Sequence, residues 1–319
     1  MHYTPAQLHI PDGFLSLAVS LISWAISVVI LSLAVSRTNK LLGERQVPLM
    51  GIMAAFIFAA QMINFPVAGG TSGHLLGGAL AAIVLGPWAA MLVMTAVISV
   101  QALLFQDGGL LVMGANILNM GLLTAAIGYG LYRGVFGRSR SVKLAVAGVA
   151  AWLSVMAGAL ATALQLWLSG TSDLQAVMIA MLGVHALIGI GEALITVAAL
   201  TFIFQTRPDL VDEKSASTQS GRGWVIAGVL ISLVVVLLSP LASAFPDGLE
   251  QVAENMGFIT TAQSSPYEII PDYTVPFLGE TPLSTIAAGL AGVLVVLGLV
   301  YLAGRSLQGR KSHTENRQS

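Results

Sequence analysis

The chain has 319 residues, 56% of them hydrophobic and 9% charged, against about 25% charged in ordinary soluble domains. The net charge of −1 comes with no clustered basic stripe, which excludes a nucleic-acid surface. The absence of cysteine excludes disulfides, thiolate metal sites, iron–sulfur clusters and cysteine nucleophiles. Any metal must be held by imidazole, carboxylate, amide or backbone groups.

In chain order, the first apolar run follows an N-terminal segment that carries His2 and His9. No Lys or Arg precedes Arg37, so a basic leader region is missing and the run reads as a retained helix. A transmembrane helix needs roughly 20 apolar residues. Runs of that kind predict spans at residues 15–36, 47–64, 75–85, 88–105, 110–132, 144–168, 177–204, 224–241 and 284–303. The third is short, and Gly86-Pro87 breaks it from the fourth as a tight re-entry.

The expected fold is an all-α polytopic membrane bundle. Residues 1–205 form a seven-span body, 206–223 a polar linker and 224–304 a two-span module with a loop at 242–283. A short polar tail, 305–319, is expected to be disordered.

All fourteen Lys and Arg fall in four places: at 37–45, 133–143, 207–222 and 305–317. With nine spans these lie on one side, which the positive-inside rule makes cytoplasmic. The N-terminus and the loop at 65–74 are then extracytoplasmic and the C-terminus cytoplasmic. The loop at 242–283 is external too, and has acidic residues but no basic one. Those carboxylates either concentrate cations by their field or merely tolerate translocation.

Three of five histidines, His2, His9 and His74, share the outer side. Neutral imidazole is a good ligand for Ni²⁺ and Co²⁺. The His9–Phe14 segment adds a proline, a carboxylate and a turn glycine, and the loop before His74 has three glycines that permit irregular backbone around a cavity. His185 and Glu192 are the ionisable side chains deep in an apolar span, seven residues apart on one helix face. They are either functional or a polar packing contact. Asn116, Asn119, Gln61, Asn64 and Gln101 read as interhelical hydrogen-bonding groups. No phosphate-binding G-x-x-x-x-G-K-[ST] loop and no HExxH zinc signature occurs, so the chain is read as a non-enzyme that binds no nucleotide.

Four ordered blocks, His9–Phe14, Thr71–Gly78, residues 104–120 and His185–Glu192, together resemble the CbiM/NikM family. These are the cobalt- and nickel-specific substrate-binding components of energy-coupling-factor transporters, and the resemblance covers about residues 9–204. Residues 240–258, with the following loop and last span, resemble the companion CbiN/NikN subunit, the PDGLE domain, so the chain looks like a fusion of the two. The resemblance implies substrate capture for an ATP-driven importer in the inner membrane. Its cargo is Co²⁺ or Ni²⁺, with no permanent cofactor, and its partners are a transmembrane coupling protein and two ATPase subunits.

It also implies a metal site at the outer face built from N-terminal nitrogens and a loop histidine, here His9 and His74. In the family the N-terminal histidine follows the terminal methionine, whereas here residues 1–7 precede Leu8-His9. Met1 and His2 are therefore secondary candidates. The residues themselves leave open a stand-alone channel or proton-coupled carrier that uses Glu192 and His185 as its ion path.

Overall fold

Away from water, backbone N–H and C=O groups must pair within their own segment, so apolar runs fold as helices. The computed structural model describes residues 9–41, 43, 46–211 and 223–315. Each predicted run becomes helical. Helix α1 is Leu17–Leu41 and α2 Gln46–Gln61; strands β1 (Phe65–Val67) and β2 (Thr71–Gly73) precede α3 (Gly78–Leu85) and α4 (Pro87–Leu104). Next come α5 (Met113–Asn116), a π-helical stretch (Ile117–Leu123) and α6 (Thr124–Tyr132) without interruption, then α7 (Arg140–Leu168) and α8 (Leu174–Thr206). The rest is α9 (Gly223–Leu238), α10 (Gly248–Met256) and α11 (Pro282–Glu315).

Among the described residues five helices, α1, α4, α7, α8 and α11, are long and apolar enough to cross a membrane, and α2 and α9 are shorter apolar helices. Large apolar side chains such as Leu21, Val29, Ile179, Leu194 and Leu294 point outward, where lipid is their solvent. The chain is an all-α polytopic membrane protein.

Three local expectations are corrected. Helix α11 runs on to Glu315, so the polar tail is helical at least that far. Extending a formed helix is far easier than starting one, and Leu, Gln, Arg and Lys all favour it. The third run starts as helix only at Gly78, because Leu75–Gly77 turn sharply, with Gly77 at φ 81°. The glycine-rich loop before it closes as a hairpin, β1 pairing β2, through Gly69 and Gly70 at positive φ. Of the predicted linker, residues 212–222 lie outside the described residues.

Helices α7 and α8 pack along each other, with Gly148 of α7 against Val197 of α8 and Gly189 of α8 against Trp152 of α7. The C-terminal pair α9 and α11 packs on α2. At one end of the bundle four segments interleave by main-chain bonds. Ser72 N–H reaches Pro246 O at 2.8 Å, Gln263 N–H reaches Asp12 O at 2.7 Å and Gly109 N–H reaches Ile10 O at 2.9 Å. The opposite end carries basic residues: Arg140, which starts α7, donates to Thr201 O near the end of α8 at 3.0 Å.

Candidate metal centre

His9 is fixed by its neighbours in sequence. The Asp12 carboxylate accepts N–H bonds from Leu110, Leu111 and Val112 at 2.9–3.1 Å, at the start of α5, where unpaired donors favour an anion. Asn116 holds Ile10 from both sides: Ile10 N–H donates to its Oδ1 at 3.0 Å and its Nδ2 donates to Ile10 O at 3.0 Å. Asn116 was read as an interhelical group, whereas it in fact grips the N-terminal strap. Gly108 lets that strap in, because a Cβ there would sit 2.9 Å from the His9 Cβ.

His74 follows β2 and is held from the other side. The buried Glu192 carboxylate accepts Leu76 N–H at 2.6 Å and Gly77 N–H at 2.9 Å. Gln61 Nε2 donates to Leu76 O at 2.9 Å. Gly73 is a close approach, with a built Cβ 2.6 Å from Ile188 of α8.

The two straps bring the His9 and His74 rings edge to face, with centroids 5.7 Å apart. Both side chains are buried. His9 Nδ1 faces Asp107, 3.1 Å from its carbonyl and 3.5 Å from its carboxylate. His74 Nδ1 lies 3.0 Å from Leu75 O. With a proton on its Nδ1, His9 presents the Nε2 lone pair as a ligand. His9 Nε2 is buried and has no hydrogen-bond partner among the described residues.

Both rings line a cavity of about 70 Å³, shared with His185, Asn119, Met120 and Asp247. Glu192, the other intramembrane candidate, is not on its wall. Met1 and His2 lie outside the described residues. Among the described residues no group of three His, Asp or Glu comes together as a ready metal cage.

Three contributors are not singled out as site residues by the sequence. Asp107 sits in a block quoted only as a whole, and Tyr273 reaches it from 166 residues away, its Oη donating to Asp107 Oδ2 at 2.7 Å. Asp247, of Pro246-Asp247-Gly248, caps α10 by accepting Glu250 N–H at 2.8 Å and closes the cavity beside β2. Gly248 lies against His185, with a built Cβ 3.0 Å from its Cε1. Burial pushes the Asp247 carboxyl well above the usual carboxylate range, and the charges of Glu250 and Asp107 add to this.

Residues 9–210 match the family described as the cobalt uptake substrate-specific transmembrane region, CbiM, and residues 222–309 match the PDGLE domain. The chain belongs to the CbiM family. As a CbiM–PDGLE fusion it is 35% identical over 301 residues to a putative fused nickel transport protein NikMN of Archaeoglobus fulgidus, which covers 93% of this chain and 98% of that one. It is 28% identical to the fused nickel transport protein NikMN of Rhodobacter capsulatus, over 93% of this chain and 97% of that one. A crystal structure of a truncated transition metal transporter superposes on 62% of the fusion and 99% of its own chain, with TM-score 0.56 and 35% identity. The His9 and His74 straps and His185 of α8 thus lie inside the CbiM domain, and Asp247 and Tyr273 inside PDGLE.

Proposed function

We propose that this CbiM–PDGLE fusion captures Co²⁺ or Ni²⁺ at the extracytoplasmic face and is the substrate-binding component of an ATP-driven energy-coupling-factor importer. The observation that carries the reading is the convergence of His9 and His74 on one cavity, with His9 Nε2 buried and lacking a partner among the described residues. An apolar wall would leave that nitrogen unsatisfied at a cost of about 1–3 kcal/mol. A borderline divalent ion satisfies it, since imidazole suits both Ni²⁺ and Co²⁺.

The names of the relatives, nickel and cobalt transport proteins, support the same cargo. Two imidazoles leave coordination positions to fill, and the N-terminal nitrogens of the family site, at Met1 or His2 or at Leu8 after removal of the extension, would fill them. The basic residues at the far end of the bundle support the cavity end as the extracytoplasmic one. Release to the cytoplasm would need a transmembrane coupling protein and two ATPase subunits, because this chain has no nucleotide loop.

Calorimetry with Ni²⁺ and Co²⁺ on the purified chain tests the site. His74→Ala and His9→Ala should each abolish metal retention, and His2→Ala should matter less. Retention by His74→Ala equal to the parent would sink the assignment. The alternative, a lone carrier with Glu192 in the ion path, fits poorly because both Glu192 oxygens are engaged by Leu76 and Gly77. Uptake that persists in cells without any coupling-factor ATPase would restore it.

A further inference from the structure

The PDGLE domain reaches the capture site by a route separate from the cavity wall. Its segment 267–273 is strapped to the CbiM loop that carries Asp107. Ile270 N–H donates to Leu104 O at 3.0 Å and Asp272 N–H to Phe105 O at 3.0 Å. Ile269 N–H reaches Gln106 Oε1 at 3.2 Å, and Tyr267 Oη reaches Leu103 O at 3.0 Å. Gln106, Asp272 and Tyr273 are the non-glycine residues at positive φ among those described, at 55°, 49° and 56°. All three lie where this strap meets the loop. Side chains in that region persist only where the surroundings hold them there, and such positions cluster at functional sites.

The strap delivers one side chain. Tyr273 is buried, its ring stacked on Phe105 at 4.8 Å, and its hydroxyl donates to Asp107 Oδ2 at 2.7 Å. Asp107 Oδ1 and the Asp107 carbonyl both face His9 Nδ1. Metal-ligating imidazoles need the second nitrogen held by a carboxylate or carbonyl, which sets both tautomer and ring direction. Stacking on Phe105 would serve a phenylalanine equally well, so packing alone does not account for the hydroxyl.

We propose that Tyr273 is a positioning residue for His9: by holding the Asp107 carboxylate it fixes the imidazole so that Nε2 faces the ion. The inference rests on the capture-site reading above. It makes the PDGLE domain a determinant of how tightly CbiM holds its ion, through three side chains in series.

The test uses the full chain, with Ni²⁺ and Co²⁺ dissociation constants from calorimetry and the visible absorption of bound Co²⁺. Tyr273→Phe keeps the ring and should weaken binding about tenfold, in the range typical for loss of an outer-shell partner. It should also shift the Co²⁺ ligand-field bands. In an Asp107→Asn background the same substitution should have little further effect, because groups acting in series are not additive.

Parent-like affinity and spectrum for Tyr273→Phe would overturn the proposal. So would an undiminished effect in the Asp107→Asn background, or a lowered thermal stability with unchanged affinity. Metal binding that survives both His9→Ala and His74→Ala would overturn the capture site instead.

Discussion

Glu192 lies under the turn that follows His74 and accepts the Gly77 N–H at 2.9 Å. With the Leu76 N–H on its other oxygen, this buried carboxylate fixes two donors that the start of α3 cannot pair internally. Glu192→Ala leaves both N–H groups buried and unmatched, at about 1–3 kcal/mol each. The expected outcome is a lower unfolding temperature together with loss of metal retention, since the turn aims His74. Glu192→Gln keeps one acceptor oxygen and should fall between. A Glu192→Ala protein that melts like the parent would count against this role.

Asp12 plays the matching part for His9. Its three acceptor bonds to residues 110–112 tie the N-terminal strap to the first turn of α5. Asp12→Ala should loosen the strap, weaken Ni²⁺ binding by at least tenfold and cost about 1–3 kcal/mol of stability. Asp12→Asn, which keeps one acceptor, should recover part of both. Calorimetry and thermal unfolding on the three proteins decide it, and unchanged affinity in Asp12→Ala would show that the strap places His9 without the Asp12 bonds.

What could be read along the chain is what its neighbours in sequence decide. The helices follow from apolar length, and His9 and His74 stand in short blocks whose turn residues and glycines shape them locally. The Asp107–Tyr273 contact has no such trace, since it joins a loop to a segment 166 residues later and no spacing rule spans that distance. Asn116 looked like any polar residue in an apolar run, yet its amide matches a peptide unit and grips Ile10 instead of a neighbouring helix. The hairpin at β1 and β2 was hidden because its pairing depends on two glycines whose chirality-free backbone fits equally well in an irregular loop.

Asp272 gives the strap a pH dependence of defined sign. Burial, with repulsion from Asp107, Glu268 and Glu250, raises its carboxyl from 3.8 to about 7. The folded chain therefore holds this proton more tightly than the unfolded one. The associated stability is fully present below about pH 4 and is lost as pH rises through about 7. Asp272→Asn removes the charge, and Asn tolerates the positive φ of this position. The parent should lose more stability than Asp272→Asn between about pH 5 and pH 8, as followed by thermal unfolding. Equal losses in the two proteins would refute the assignment.

Whether the two domains act together depends on how α11 seats on α2, and two glycines of α11 separate that contact from helix propensity. A Cβ at Gly292 would lie 2.0 Å from the Phe58 ring, whereas one at Gly298 would meet nothing within 4 Å. Alanine stabilises a helix over glycine by about 0.5–1 kcal/mol where space allows, so Gly298→Ala should be neutral or stabilising. Gly292→Ala must instead push α11 away from Phe58, with an overpacking cost of about 1–3 kcal/mol. Phe58 also contacts Phe105 and Tyr273, at centroid distances of 5.3 and 6.1 Å. Displacement at Gly292 should therefore reach the Asp107–His9 contact and weaken metal binding, while Gly298→Ala leaves it at the parent value. Identical affinities for the two variants would mean that the seating of α11 and the capture cavity are independent.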